Sequence, residues 1–268
     1  MLKFFRALTV LMSVCFGVSS WAAGFSSGSS QAGEELHFKP EQVIAFAKKV
    51  ERTLAAKGAR VAIVARMGRP LSELPEGMHF THVEFAVYSE ITTSDGRKVP
   101  GYAMYNLYQE DGHPDVSDLV QDFPVDFFAG VALLEAGIIV PSPELQARLL
   151  QTIASPTYQV LHDPHYSVIA NPFTLGRQNC TEFVLDVTNA AIYQTSDIKV
   201  IKANEKAFFT PQPVNVNPFK LMLGSMFTKE VSTSDQPAGI PVTATFEKVA
   251  DYLTKYVAGS TVLTVLPD

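Results

Sequence analysis

The chain has little cysteine: two residues among 268, Cys15 and Cys180. Cys15 lies in an N-terminal stretch that we expect to be removed, which leaves one thiol in the mature protein. One cysteine cannot form a disulfide within its own chain, so a disulfide-stapled scaffold is excluded. Cys180 is therefore an inert buried thiol, a link between two chains or a reactive group.

Long apolar runs and clusters of basic residues are also scarce. Beyond the N-terminus no segment reaches about eighteen uncharged apolar residues, which argues against an integral membrane protein. Without Lys3 and Arg6, the chain has 19 basic and 27 acidic residues, and no basic stripe is present. The composition argues against nucleic acid as a partner. His162 and His165 share a turn but lack an accompanying ligand set, so we predict no metal and no cofactor.

The N-terminus has the three parts of a secretory signal peptide. Lys3 and Arg6 are its positive region, Ala7–Val18 is a short apolar run, and small residues occupy positions 20 and 22. We therefore predict a Sec-type signal peptide over residues 1–22 and a soluble mature protein in the periplasm or outside the cell.

The remaining chain divides into a short linker and one globular domain. Residues 23–35 are rich in Gly and Ser, which predicts a disordered linker. Residues 36–268 are long enough for one sizeable core, with a C-terminal extension after about residue 195. Periodicity predicts helices over 40–57, 116–128 (interrupted near Pro124), 143–154, 180–193, 203–209, 218–226 and 246–257. Strands are predicted at 60–66, 137–140 and 261–266, so the fold class is α+β.

A β-hairpin is the strongest local prediction. Two β-rich segments, 80–90 and 99–109, flank Asp95-Gly96, a turn signal. If this dipeptide is the turn centre, paired residue numbers sum to about 191, so His82 faces Gln109. Asn106 would reach His82 only if the register shifts or the strand bulges. Either amide could accept the ring N–H and fix the tautomer, or His82 is an ordinary strand histidine.

Cys180 is predicted at the start of a helix. Asn179 is a good N-cap, so the thiol falls in the first turn, where backbone N–H groups and the helix dipole favour a thiolate. The same N–H groups could receive an oxyanion. Against this, Val184 and Val187 share a helix face with Cys180, which would suit a small buried hydrophobe.

Three segments taken in order resemble a known arrangement: Thr81–Ala86 (THVEFA), Tyr105–Gln109 (YNLYQ) and Gln178–Cys180 (QNC). They are similar to the circularly permuted papain-like fold of the NlpC type, in which a strand histidine and a polar residue on the next strand precede the nucleophile helix. More narrowly, most of residues 60–190 resembles an uncharacterised family of exported bacterial proteins. The shared features are Ile63–Arg69, Phe127-Phe128, Val140–Arg148 and Asn171–Thr174.

The resemblance implies a permuted papain-like core, in which an antiparallel sheet packs on a nucleophile-bearing helix. It implies Cys180 as nucleophile, His82 as base and Asn106 as the group that orients the base. In the resulting hypothesis Asn106 or Gln109 holds the ring, while the Cys180 N–H and the Gln178 side chain stabilise the oxyanion.

Two classes of function follow from these residues. The first is an exported cysteine hydrolase, an amidase or peptidase that acts on cell-envelope peptides such as those of peptidoglycan, or on acyl groups. The alternative is a non-catalytic envelope protein that uses the same fold to bind a peptide, a lipid or a partner. A fatty-acyl hydrolase or acyltransferase differs from the first mainly in requiring a wide apolar groove.

Overall fold

A computed structural model describes residues 37–215 and 231–268. The predicted signal peptide, the predicted linker and the predicted helix over 218–226 lie outside the described residues.

Six antiparallel strands form the central sheet, in the order β4-β3-β2-β1-β5-β8. Their bounds are β1 Val61–Met67, β2 His82–Thr92, β3 Lys98–Glu110, β4 His113–Asp122, β5 Leu133–Val140 and β8 Thr261–Val265. A separate pair of two-residue strands, β6 (Gln212–Pro213) and β7 (Val242–Thr243), forms a small second sheet. The predicted α+β class with an antiparallel sheet is confirmed.

Helices cover both faces of this sheet. Their bounds are α1 Pro40–Ala56, α2 Pro124–Phe127, α3 Pro143–Ile153, α4 Pro156–Val160, α5 Cys180–Tyr193, α6 Ile198–Phe208 and α7 Phe246–Tyr256, with a 3₁₀ turn at Leu71–Glu73. The core on one face joins α3, α5 and α7 to the sheet, and the core on the other joins α1 and α2. Because side chains of β1 alternate between two faces that are both covered by helices, the strand is buried along its whole length, which explains its apolar run from Val61 to Ala65.

The predicted hairpin is present as β2 and β3, but its register differs from the prediction by one. Phe85 pairs with Tyr105 and Thr92 with Lys98, so paired numbers sum to 190. The last pair of the ladder is Thr92 with Lys98, so the loop has five residues, 93–97. The Thr93 N–H donates to the Arg97 carbonyl across this loop at 2.8 Å. The centre of the loop is Asp95 and not the Asp95-Gly96 peptide. The predicted pairing of His82 with Gln109 is therefore wrong.

The helix predicted over 116–128 is also wrong. Residues 113–122 form β4, which pairs with β3, and the only helical part of that range is the four-residue α2. The chain reverses at Asp111-Gly112, where Gly112 has φ +77°. The ladder hydrogen bonds to β3 outweigh the weak helical spacing of Val116, Leu119 and Val120.

The helix predicted after Asn179 is confirmed as α5. The Asn179 side chain accepts a hydrogen bond from the Glu182 N–H at 2.9 Å, so Cys180 is the first helical residue. Its neighbours Phe183, Val184 and Val187 are fully buried in the core with β1, β2 and β3. The sheet thus packs on the helix that carries the cysteine. Residues after 195 belong to the same body, because β8 pairs with β5.

Candidate active site

One cleft brings Cys180 and His82 together. Its volume is about 330 Å³, and both residues line it. One wall comes from the segment between β1 and β2, including Leu74 and Met78, and the opposite wall from Ile169 and residues 243–245. The predicted nucleophile and base therefore share a cavity large enough for a small substrate group.

The thiol of Cys180 contacts three polar groups at the start of α5. The side chain of His82, the backbone N–H of Val83 and the hydroxyl of Thr181 all contact it. Burial raises the pKa of the thiol, but His82, Val83 and Thr181 together outweigh burial, so the pKa of Cys180 lies below its ordinary value. The residue is only 4% exposed. Its surroundings thus favour a thiolate in a nearly closed position.

Two side chains contact the other end of the His82 ring. Nε2 lies 3.2 Å from Oδ1 of Asn106 and 3.3 Å from Oε1 of Glu84. The ring stacks on Tyr108 at a centroid distance of 4.7 Å and an interplanar angle of 4°. Because Nε2 is engaged by these groups, Nδ1 is the ring nitrogen available to the thiol. The imidazole is therefore fixed in both position and orientation.

The observed register explains why Asn106 reaches His82. Residues directly opposite in an antiparallel pair point to the same side, so a sum of 190 places even-numbered residues of β2 with even-numbered residues of β3. His82, Glu84, Asn106 and Tyr108 thereby meet. Gln109 lines the cleft and donates to the Pro114 carbonyl at 2.8 Å. Its predicted orienting role stays a prediction.

The side chain of Gln178 does not fit the oxyanion role predicted for it. Its amide nitrogen donates to the Leu161 carbonyl at 3.0 Å and to Oδ2 of Asp186 at 2.8 Å. Both amide hydrogens are therefore used, and the carbonyl oxygen accepts from the Asp163 N–H. The Glu182 N–H is used by the Asn179 cap, so the backbone N–H groups of Cys180 and Thr181 are the donors in the first turn of α5 that remain for an oxyanion.

A buried cluster of ionisable groups lies behind His82, and sequence reasoning missed it. Glu84 is fully buried next to Arg66, Tyr108 and Asp122. Burial raises the pKa of Glu84 to about 8 and that of Asp122 to about 9. Glu84 could have been found from its position two residues after His82 on one strand. Asp122 could not, because its strand was predicted as a helix.

A second buried charge cluster joins α5 to α6. Lys202 Nζ lies 2.8 Å from Oε1 of Glu182, 2.7 Å from Oδ1 of Asp186 and 3.3 Å from Oε2 of Glu205. All four side chains are at most 8% exposed. One cation therefore forms ion pairs with three carboxyl groups, two of which lie in the first two turns of α5, the helix that carries the cysteine.

Two histidines outside the cleft have local partners. His162 Nε2 lies 3.1 Å from the Ser117 hydroxyl, and His165 Nδ1 lies 2.8 Å from Asp163 Oδ1. Among residues 37–215 and 231–268, no group of three or more His, Cys, Asp or Glu side chains is placed to hold a metal ion. In the same ranges, no helix is long and apolar enough to cross a membrane.

A family model described as "Uncharacterized protein conserved in bacteria (DUF2145)" matches residues 53–253. The chain belongs to this family. The match includes β2 with His82, β3 with Asn106 and α5 with Cys180, and it ends within α7. No curated protein and no solved structure matched the chain. The family description assigns no activity, and the residues of the cleft are the features that point to a function.

Proposed function

We propose that this protein is a cysteine hydrolase, an amidase or peptidase acting on cell-envelope peptides or on acyl groups. The observation that carries the proposal is that Cys180 and His82 contact each other in one cleft, with Oδ1 of Asn106 3.2 Å from Nε2 of the same ring. A nucleophile, a base and an orienting group in contact with one another are what covalent catalysis requires.

The residues support a two-step acyl transfer. In the first step the Cys180 sulfur attacks the substrate carbonyl, and the N–H groups at the start of α5 stabilise the oxyanion. His82 gives its proton to the leaving amine, the C–N bond breaks and a thioester remains. In the second step His82 takes a proton from water, whose oxygen displaces the thiolate. The products are a carboxylic acid and the original enzyme.

The order of these elements supports a permuted papain-like core. A histidine strand and the strand of its orienting amide come before the nucleophile helix in the chain, as the sequence resemblance implies. The N-terminal signal peptide pattern supports export to the periplasm or beyond.

The cleft supports a substrate with an apolar part next to the scissile bond. Its lining includes Leu74, Met78, Val168 and Ile169, with Arg69 as an exposed cation. This lining suits either a peptide or an acyl chain, so the substrate class of the proposal includes both.

A thiol alkylation assay tests the proposal without a known substrate. The rate of reaction of Cys180 with iodoacetamide is measured from pH 5 to 10 in the wild type, His82→Ala and Asn106→Ala. We expect a wild-type thiol pKa below about 8.5, the free-cysteine value, and a higher pKa in His82→Ala. Cys180→Ser gives the background rate. A wild-type pKa near that of a free thiol, unchanged in His82→Ala, would refute the proposal.

The low exposure of Cys180 favours a second function, a non-catalytic binding protein. A thiol that is only 4% exposed can simply fill space in the core. This function predicts that Cys180 reacts with iodoacetamide only after unfolding, at every pH. Slow reaction that urea accelerates, with no dependence on His82, would support the binding protein.

A further inference from the structure

Glu84 lies at the back of the proposed catalytic histidine. It follows His82 by two residues on β2, so both side chains leave the strand on the same side. Its Oε1 is 3.3 Å from Nε2 of His82, and the side chain has no solvent exposure. A carboxyl group at this distance can accept the ring N–H or pair with the charged ring.

Charged and titratable groups from five elements face this carboxyl group. They are Arg66 on β1, His82 on β2, Tyr108 on β3, Asp122 at the end of β4, and Asp126 on α2, with Tyr158 on α4 further away. Arg66 is the one permanent cation among them, and it also donates to the Phe127 carbonyl. Three carboxyl groups, those of Glu84, Asp122 and Asp126, thus lie close to one guanidinium beneath the histidine.

Within the described residues, several buried polar atoms around Glu84 lack a hydrogen-bond partner. Neither oxygen of Glu84 has a well-aligned hydrogen bond, and the same holds for Nδ2 of Asn106. A buried polar group without a hydrogen-bond partner destabilises the folded protein. Glu84 is such a group, and it contacts His82, which in turn contacts Cys180. This position points to a role beyond packing.

We infer that Glu84 is a positioning residue for His82: its carboxylate stabilises the imidazolium that accompanies the Cys180 thiolate, and Asn106 fixes the ring tautomer. The inference rests on the proposed function, because it assigns a role within the same cysteine–histidine pair. It separates two tasks that one orienting residue is usually expected to perform.

The charge of Glu84 makes this role dependent on pH. Burial raises the pKa of Glu84 to about 8, against the opposing effects of Arg66, Tyr108 and Asp122, while Asp126 raises it further. Below that value the carboxyl group is neutral and adds little to the imidazolium. Above it the carboxylate strengthens the thiolate–imidazolium pair. The reactivity of Cys180 should therefore rise in two steps as the pH increases.

Glu84→Gln tests the inference because it keeps the size of the side chain and removes its charge. The alkylation rate of Cys180 is measured from pH 5 to 10 in the wild type and the variant. We expect two ionisations in the wild type, one of the thiol and one near pH 8, and loss of the second in Glu84→Gln. Asp122→Asn is the matched control. It removes a neighbouring carboxyl group but keeps a donor towards Glu84, so it should retain the second ionisation.

A measurement on the wild type keeps the test decisive if Glu84→Gln does not fold. The ring ¹⁵N resonances of His82, assigned by their loss in His82→Ala, are followed over the same pH range. We expect them to shift near pH 8, as the neighbouring carboxyl group ionises. The absence of such a shift would overturn the inference, and so would identical alkylation profiles for the wild type and Glu84→Gln.

The two proposals fail in different ways. If His82→Ala leaves the reactivity of Cys180 unchanged, the cysteine hydrolase itself is refuted. If His82→Ala raises the thiol pKa while Glu84→Gln has no effect on the profile, only the role of Glu84 is refuted.

Discussion

Replacing Lys202 with Met should strongly destabilise the protein. The lysine Nζ contacts three carboxylates within 3.3 Å, in a region where the side chains are at most 8% exposed. Methionine keeps most of the side-chain volume but removes the only cation in these contacts. The variant therefore leaves Glu182, Asp186 and Glu205 close together without compensation.

The size of the effect follows from the burial of these groups. Removing one partner of a buried ion pair costs about 3–5 kcal/mol, because the remaining charge stays desolvated. The carboxyl groups can lower this cost by binding protons. Burial already raises the pKa of Glu182 to about 8 and that of Glu205 well above its ordinary value. The deficit should therefore be smaller at pH 5 than at pH 8.

Urea unfolding of the full chain at pH 5 and pH 8 measures this deficit. With a slope of about 3 kcal/mol per molar urea, the expected loss moves the midpoint by about 1–1.7 M at pH 8. Lys199→Met is the matched control: Lys199 is exposed on the same helix, so its change should stay within about 0.5 kcal/mol. A loss for Lys202→Met below about 1 kcal/mol, or one equal at both pH values, would refute the reasoning.

Two further predictions concern stability. A Cβ at Gly137 would lie 2.6 Å from ring atoms of Phe80 and Phe246, so Gly137→Ala should cost about 1–3 kcal/mol in urea unfolding. Gly101→Ala, whose Cβ would meet only the flexible end of Ile91, should cost clearly less, and equal losses would contradict the packing argument. The free energy of unfolding should also fall as the pH rises from about 5 to 8. The folded protein keeps protons on Glu84 and other buried acids that the unfolded chain has released, and each such proton contributes about 1.4 kcal/mol per pH unit. Glu84→Gln should show a shallower fall, and a wild-type stability that rises over this range would contradict the buried acids.

Features set by local chemistry could be predicted from the sequence. The start of α5 follows from Asn179, whose side chain caps the helix without help from distant residues. The β2–β3 hairpin follows from Asp95-Gly96 between two β-rich runs. Both predictions depend on a few neighbouring residues, so tertiary packing had little to change.

Features that depend on pairing between distant segments could not be predicted with the same precision. The register of the hairpin depends on a five-residue loop, and a change of one residue decides which amide shares a face with His82. The strand β4 has a spacing of apolar residues that also suits a helix, and only its partner β3 decides between them. Asp111-Gly112 was the local signal for this second reversal.

The place of β8 in the sheet has a consequence for biosynthesis. This last strand lies beside β5, whose residues 136–140 are all buried, so until residues 261–265 are available β5 presents an unpaired apolar edge. Such an edge is a template for pairing with other chains. A ribosome-bound or truncated chain that ends after α7 would therefore be prone to self-association, and completion of the sheet must wait until residues 261–265 have been synthesised.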